Sequence, residues 1–269
     1  MNKKILIIII AVMAIGSIIV FLSGKKISKA VGIASHSAAR SLSGQARGLE
    51  AKGSLWEAKL LYQKLVNDFP ESPEVMDWQN KTEDINIKLL FSSALTPKSI
   101  LYQIRPGDTL NKIAREHNTT TELIMKSNNI NDALIIPGRK IKISSVPFNI
   151  LVDKSQNTLL LKNNEEIIKT YIVSTGKNNC TPVGTFKIVN KLSNPTWFKA
   201  GAVVPPESAQ NVLGTRWMGF DLAGYGIHGT IQPTELGKQV TQGCVRLSNA
   251  DVEQLYSIVP VGTEVTIIE

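Results

Sequence analysis

The chain has 269 residues, 43% of them hydrophobic and 19% charged, which is ordinary globular usage and speaks against both a disordered chain and a wholly membrane-embedded one. Its net charge of +8 falls entirely before residue 150 and forms no arginine-rich stripe interleaved with aromatics. Nucleic acid is therefore a poor partner, and an anionic lipid surface or wall polymer is a better one. Two cysteines and three histidines are too few for a disulfide scaffold or a metal cluster, so neither a metal nor a cofactor is expected.

Ile5 to Leu22 is an uncharged apolar run preceded by Lys3 and Lys4. It is long enough to span a bilayer and longer than the core of a cleaved signal, so residues 1–23 are expected to be an uncleaved membrane anchor. Lys25, Lys26 and Lys29 on the far side balance the near lysines, and charge alone does not orient it. Residues 24–44, rich in Gly, Ser, Ala and Lys, suit a tether or a frayed helix start, and are expected to be a tether. From 45 to 96 the pattern is helical. Leu55, Ala58, Leu61, Tyr62 and Leu65 recur at three- and four-residue intervals up to Phe69-Pro70, and a second helix starts near Ser72-Pro73. The string from Gly53 to Glu74 resembles a tetratricopeptide repeat, but one repeat cannot bury both its faces, which favours a helical spacer. Nothing in it names a protein partner.

Residues 99–145 change character. A short strand leads into Pro106-Gly107-Asp108-Thr109, then two short helical stretches and a closing strand. Asp108 or Thr109 can cap the first helix, and Thr120 or Thr121 the second. The segment resembles the LysM module, which implies a β-α-α-β fold that binds N-acetylglucosamine-containing glycan strands. Asn128 and Asn129 offer amides suited to sugar hydroxyls, although turn formation explains an Asn equally well.

From residue 148 to 269 short strand signals between Gly, Pro and Asn clusters indicate a mostly-β sandwich or barrel with one late helix, capped from Ser248-Asn249-Ala250-Asp251. Two strings carry the chemistry: Tyr225-Gly226-Ile227-His228-Gly229-Thr230 and Thr241-Gln242-Gly243-Cys244-Val245-Arg246-Leu247. A cysteine in a Gly-flanked turn and a single histidine in the same domain meet the minimum for thiol nucleophilic catalysis, while a buried structural cysteine is the plainer alternative. The full pattern resembles the L,D-transpeptidase (YkuD-type) catalytic domain, supported by Thr181-Pro182-Val183-Gly184, Asn194-Pro195-Thr196-Trp197 and Leu213-Gly214-Thr215-Arg216-Trp217. It departs from the commonest family string at Thr241 and Gln242, where Ser and His usually stand.

The resemblance implies a cysteine acyltransferase that joins peptidoglycan stem peptides through a thioester. A thiol pKa near 8.5 calls for a neighbouring imidazole. Cys244 is then the nucleophile and His228 the base, with the Gly229 carbonyl orienting the ring in place of a triad carboxylate. Amides near Gly243 and Cys244 are oxyanion-hole candidates. Arg246 holds a carboxylate, either on the donor peptide or on a neighbouring loop. Tyr225, Thr230, Thr241 and Trp217 are the expected substrate-binding residues, and Cys180 is a bystander thiol. The expected whole is a multidomain, single-pass protein with a transmembrane helix, an α-helical stalk, a LysM module and a catalytic domain outside the cytoplasm. The rivals are an L,D-carboxypeptidase and a non-catalytic wall tether.

Overall fold

The computed structural model describes residues 28–269 apart from Ala133, Ser145, Glu165 and Ala200. Among these no helix is long and apolar enough to cross a membrane; the expected span at Ile5–Leu22 lies outside them. The chain divides into two compact units, residues 1–86 and 87–269.

In the first unit α1 (Ser28–Ala51) and α2 (Leu55–Asp68) form a helical hairpin, and α3 (Val75–Leu90) begins. The turn closes with Gly53 at φ +79°, where the Gly53 amide donates to Glu50 O and the Ser54 amide to Leu49 O, a helix stop that favours glycine. Of the two readings of residues 24–44, the helical one fits their described part, since residues 28–44 belong to α1 rather than to an extended tether. Ala39, Ser43 and Ala46 are buried at spacings of four and three, and Trp78 Nε1 donates to Ser43 Oγ at 3.3 Å. Small side chains on a helix face allow close approach yet give almost no hydrophobic periodicity, which is why composition alone resembled a linker.

The second unit opens with β1 (Ser99–Gln103), α4 (Leu110–Glu116), α5 (Thr121–Ser127) and β2 (Lys140–Ser144), with β1 and β2 antiparallel. This is the expected β-α-α-β module around Ile104, Leu110, Ile113, Ile124, Ile141 and Ile143. Thr109 Oγ1 accepts from the Lys112 amide and Thr120 Oγ1 from the Leu123 amide, so threonines cap both helices. Asp108 instead braces the preceding turn, accepting from the Arg105 amide and the Tyr102 hydroxyl at 2.8 Å each. Asn128 does not offer its amide to a ligand: it is buried, donates to Ile124 O and Lys142 O, and accepts from the Lys142 amide. Asn129 has φ +51°, the turn role open to asparagine.

The remaining strands are β3 (Asn149–Asp153), β4 (Thr158–Asn163), β5 (Glu166–Ile172), β6 (Thr175–Gly176), β7 (Gly184–Ser193), β8 (Trp197–Lys199), β9 (Ala202–Val204), β10 (Arg216–Phe220), β11 (Gly226–His228), β12 (Gln239–Thr241), β13 (Val245–Arg246) and β14 (Glu264–Ile268). Eight of them form one mixed sheet in the order β13-β11-β10-β7-β14-β3-β4-β5, and β6/β12 and β8/β9 make separate ladders. Long β7 serves both halves of the sheet: Gly184–Lys187 pair with β14, and Ile188–Ser193 with β10. Helix α6 (Asn249–Ile258) packs Val252, Leu255 and Ile258 into the core with Ile150, Val152, Ile188, Met218, Ile227 and Val265.

Both ends of α6 are fixed. Ser248 Oγ accepts from the Asp251 amide at its start, and Lys191 Nζ donates to Tyr256 O and Val259 O at its end. The LysM module docks on the same helix, with Thr120 Oγ1 donating to Ser257 O and Lys126 Nζ to Ser257 Oγ. Leu123 of the module joins the catalytic core.

Candidate active site

Strands β11 and β13 run parallel, with His228 opposite Arg246. This register brings the turn ending in Cys244 beside the end of β11, although sixteen residues separate the two side chains in sequence. A cavity of about 580 Å³ is lined by Trp197, Trp217, Tyr225, His228, Cys244 and Arg246, among others. Both expected catalytic groups thus face one space. Leu192, Phe198 and Val240 add apolar side chains to its lining.

His228 is buried, and its Nδ1 lies 2.7 Å from Gly229 O. A carbonyl only accepts, so Nδ1 carries the proton and Nε2 keeps its lone pair for proton abstraction. Burial lowers the imidazole to about 4, the carbonyls of Gly229 and Leu213 oppose this, and the Arg246 charge adds to it. The Trp217 ring stacks over the imidazole at 6.0 Å and 23°, and Trp217 Nε1 donates to Asn190 Oδ1 at 3.0 Å.

Cys244 is half-buried, and its Sγ contacts Gly224 O at 3.6 Å. Burial pushes the thiol up to about 11, against the Gly226 backbone and the Arg246 charge, which both lower it. Burial thus favours the neutral imidazole and the protonated thiol in the free site. Cys180 is an exposed free thiol, and its carbonyl lies 3.5 Å from where a Cβ on Gly243 would stand.

Gly243 has φ +121°, and an added Cβ would meet the Tyr225 ring at 2.6 Å. Glycine is thus required twice over, by backbone angle and by the packed ring. The Gly243 amide is already committed to Thr241 Oγ1 at 3.2 Å, and the same hydroxyl donates to Cys244 O at 2.7 Å. One expectation changes as a result, since the Gly243 amide is not free for an oxyanion; Thr241 lines the cavity, and its hydroxyl also shapes the cysteine turn.

Thr230, expected to bind substrate, lies off the cavity. It is buried, and its hydroxyl accepts from the Gln232 amide at 2.9 Å. Tyr225 and Trp217 do line the cavity. Of the two partners expected for Arg246, the neighbouring loop supplies one: Nη1 donates to Glu235 Oε2 at 2.6 Å. Glu235 lies in a short 3-10 turn (Pro233–Glu235) anchored by Ser174 Oγ donating to Glu235 O. Sequence reasoning missed Glu235, because a carboxylate in a Pro-led turn gives no periodic signal. Arg246 Nε is buried without a partner.

His228 also sets a pH dependence of stability. Its folded pKa of about 4 lies below the ordinary 6.5, so the unfolded chain takes up the proton first as pH falls. Its contribution is complete above about pH 6.5 and is lost toward pH 4, a swing of about 3 kcal/mol. In urea unfolding across this range, His228→Gln should show a shallower loss of stability with acid than the unmodified chain.

The family model for the L,D-transpeptidase catalytic domain (YkuD) matches residues 147–267, and that for the LysM domain residues 102–144. The L,D-transpeptidase YkuD of Bacillus licheniformis is 35% identical over 177 residues, which cover 62% of this chain and 98% of that protein. Its Bacillus subtilis counterpart is 36% identical over 175 residues with the same two shares. Among solved structures, an L,D-transpeptidase from Mycobacterium tuberculosis H37Rv aligns at a TM-score of 0.40 and 16% identity, over 64% of this chain and 90% of that one. With relatives matched over almost their whole length at more than a third identity, this chain belongs to the YkuD family of L,D-transpeptidases.

Proposed function

We propose that the protein cross-links peptidoglycan stem peptides outside the cytoplasm. One observation carries the reading: His228 and Cys244 line the same cavity, and the Nδ1 contact to Gly229 O leaves Nε2 as the base. Cys244 Sγ attacks the carbonyl at the L-centre of a donor stem while His228 takes the thiol proton. The tetrahedral intermediate collapses with transfer of that proton to the departing amine of the terminal D-residue, leaving a thioester. An acceptor amine then attacks the thioester, gives its proton to His228, and the thiol is restored. The Cys244 amide is the remaining oxyanion donor of the turn. Arg246, held by Glu235, places a positive charge beside both reacting groups.

Incubation with a donor stem tetrapeptide and an amine-bearing acceptor stem tests this by product mass. A cross-linked dimer with release of one D-amino acid is expected. A trimmed monomer alone would indicate a carboxypeptidase, and no product a non-catalytic tether.

The LysM module supplies glycan affinity. With Asn128 committed internally, the best-supported contact surface is a cavity of about 690 Å³ lined by Leu101, Tyr102, Gln103, Arg105, Pro106 and Pro137. Leu101 is exposed there. Leu101→Glu should weaken co-sedimentation with insoluble peptidoglycan about tenfold while sparing acylation of Cys244; unchanged sedimentation would place glycan affinity elsewhere. Ile5–Leu22 serves as the anchor, with Met1–Lys4 cytoplasmic. The length of the apolar run supports this, as does the extracytoplasmic location of the substrate, and a long translocated domain crosses largely irrespective of the lysines after Gly24.

A further inference from the structure

Cysteine–histidine sites usually need a third group to hold the imidazole, and here the Gly229 carbonyl does so. A lone backbone carbonyl is a weak support, because its direction depends on how the whole peptide plane is held. The peptide joining Gly229 to Thr230 is held on its other side. The Thr230 amide, part of the same planar unit, donates to Asn249 Oδ1 at 3.1 Å. Asn249 Oδ1 also accepts from the Thr215 amide at 3.2 Å, so one oxygen joins the chain after β11 to the chain before β10.

We propose that Asn249 is a positioning residue for the L,D-transpeptidase reaction: through the Gly229–Thr230 peptide it fixes the orientation and tautomer of His228. The inference rests on the assignment of His228 as the base.

Three further features support it. A Cβ on Gly214 or on Gly229 would stand 2.2 Å from Asn249 Oδ1, so both glycines leave room for that oxygen, and Gly214 further has φ +64°. The preceding peptide is fixed as well, with His228 O accepting from the Leu247 amide at 2.9 Å and the Gly229 amide donating to Arg216 O at 3.2 Å. Finally, Asn249 is the first residue of α6, whose start is capped by Ser248 and whose apolar face lies in the core. A short side chain on such an element is far better placed than one on a loop.

The test uses the purified full chain and compares Asn249→Ala, Asn249→Asp and Ser248→Ala. Ser248→Ala removes the helix cap alone and controls for loss of stability. For Asn249→Ala the expected result is a fall in kcat of about 30- to 100-fold with KM changed less than about twofold, the pattern of an interaction lost mainly at the transition state. Histidine-selective ¹⁵N NMR should show the His228 Nδ1–H tautomer giving way to a mixture. Asn249→Asp keeps an acceptor oxygen and adds a charge that suits a helix N-terminus, so it should recover most of kcat. Its negative charge should also move the acid limb of the pH profile upward. The proposal is overturned if Asn249→Ala lowers Tm as Ser248→Ala does but leaves kcat and the tautomer unchanged. It is equally overturned if kcat falls while tautomer and pH profile stay as in the unmodified chain. Full turnover in His228→Gln would instead refute the base assignment itself, and is read in a separate variant.

Discussion

Replacing Cys244 with alanine is expected to abolish turnover while leaving the fold intact. The thiol is half-buried and contacts Gly224 O at 3.6 Å, a long contact whose loss should change stability by less than about 1 kcal/mol. Chemically nothing replaces it. Cys180 is the other described cysteine and is exposed on a separate turn. Cys244→Ser should fail almost as completely, for a reason visible in the site. His228 is lowered to about 4 by burial, and such a weak base can assist departure of a thiol proton but not of a much less acidic hydroxyl proton. A loss of roughly 10⁴-fold is expected for serine and a larger one for alanine. Release of the terminal D-amino acid is the readout, and more than a few per cent residual activity in Cys244→Ala would remove Cys244 from the mechanism.

His228→Gln carries the second-largest expected effect, about 10²- to 10⁴-fold in kcat/KM, the range of a positioned general base. Glutamine fills much of the same space beneath Trp217, so the loss reports on proton transfer more than on packing. The pH profile adds a sharper check. In the unmodified chain the base is active when neutral, and burial places its pKa at about 4. The acid limb of kcat/KM should therefore lie near pH 4 rather than near 6.5. On the alkaline side the nucleophile stays protonated up to about 11, so a broad plateau is expected between the two limbs. In His228→Gln the acid limb should vanish along with most of the rate. A limb near 6.5 in the unmodified chain would mean that the imidazole is more hydrated than its burial indicates.

The LysM module was legible almost residue by residue, because its caps are threonines at fixed offsets and its core is a periodic set of isoleucines and leucines. The proposed catalytic pair was legible through the full strings around His228 and Cys244 that resemble the family, since a lone cysteine and histidine in one domain fit a structural role equally well. What sequence reasoning could not supply was the destination of polar groups. Thr241, Thr230 and Asn128 all looked free for a ligand, yet the hydroxyls of the first two bond backbone within their own turns, and Asn128 ties its helix to the backbone of Lys142 in β2. Which way a short polar side chain faces depends on tertiary contacts that no local pattern encodes.

Asn249 was hidden for the opposite reason. Its neighbours make a good helix cap, and that local explanation concealed a long-range role which only the closeness of Gly214 and Gly229 exposes. The helix over residues 28–44 was open in the sequence only as an alternative to a tether, because it packs through Ala39, Ser43 and Ala46, a face with too little apolar bulk to register. The corner made by β7, which joins both halves of the sheet, follows from pairing register rather than from composition.

The central claim is that the donor acyl group is carried on the Cys244 sulfur. Intact-protein mass spectrometry during incubation with a donor stem tetrapeptide, followed by peptide mapping under acidic conditions that preserve thioesters, measures this directly. The expected result is a mass increase equal to the donor less its terminal D-amino acid, located on the peptide bearing Cys244, absent in Cys244→Ala and discharged by an acceptor amine. An adduct on Cys180, or one that persists unchanged in Cys244→Ala, would contradict it.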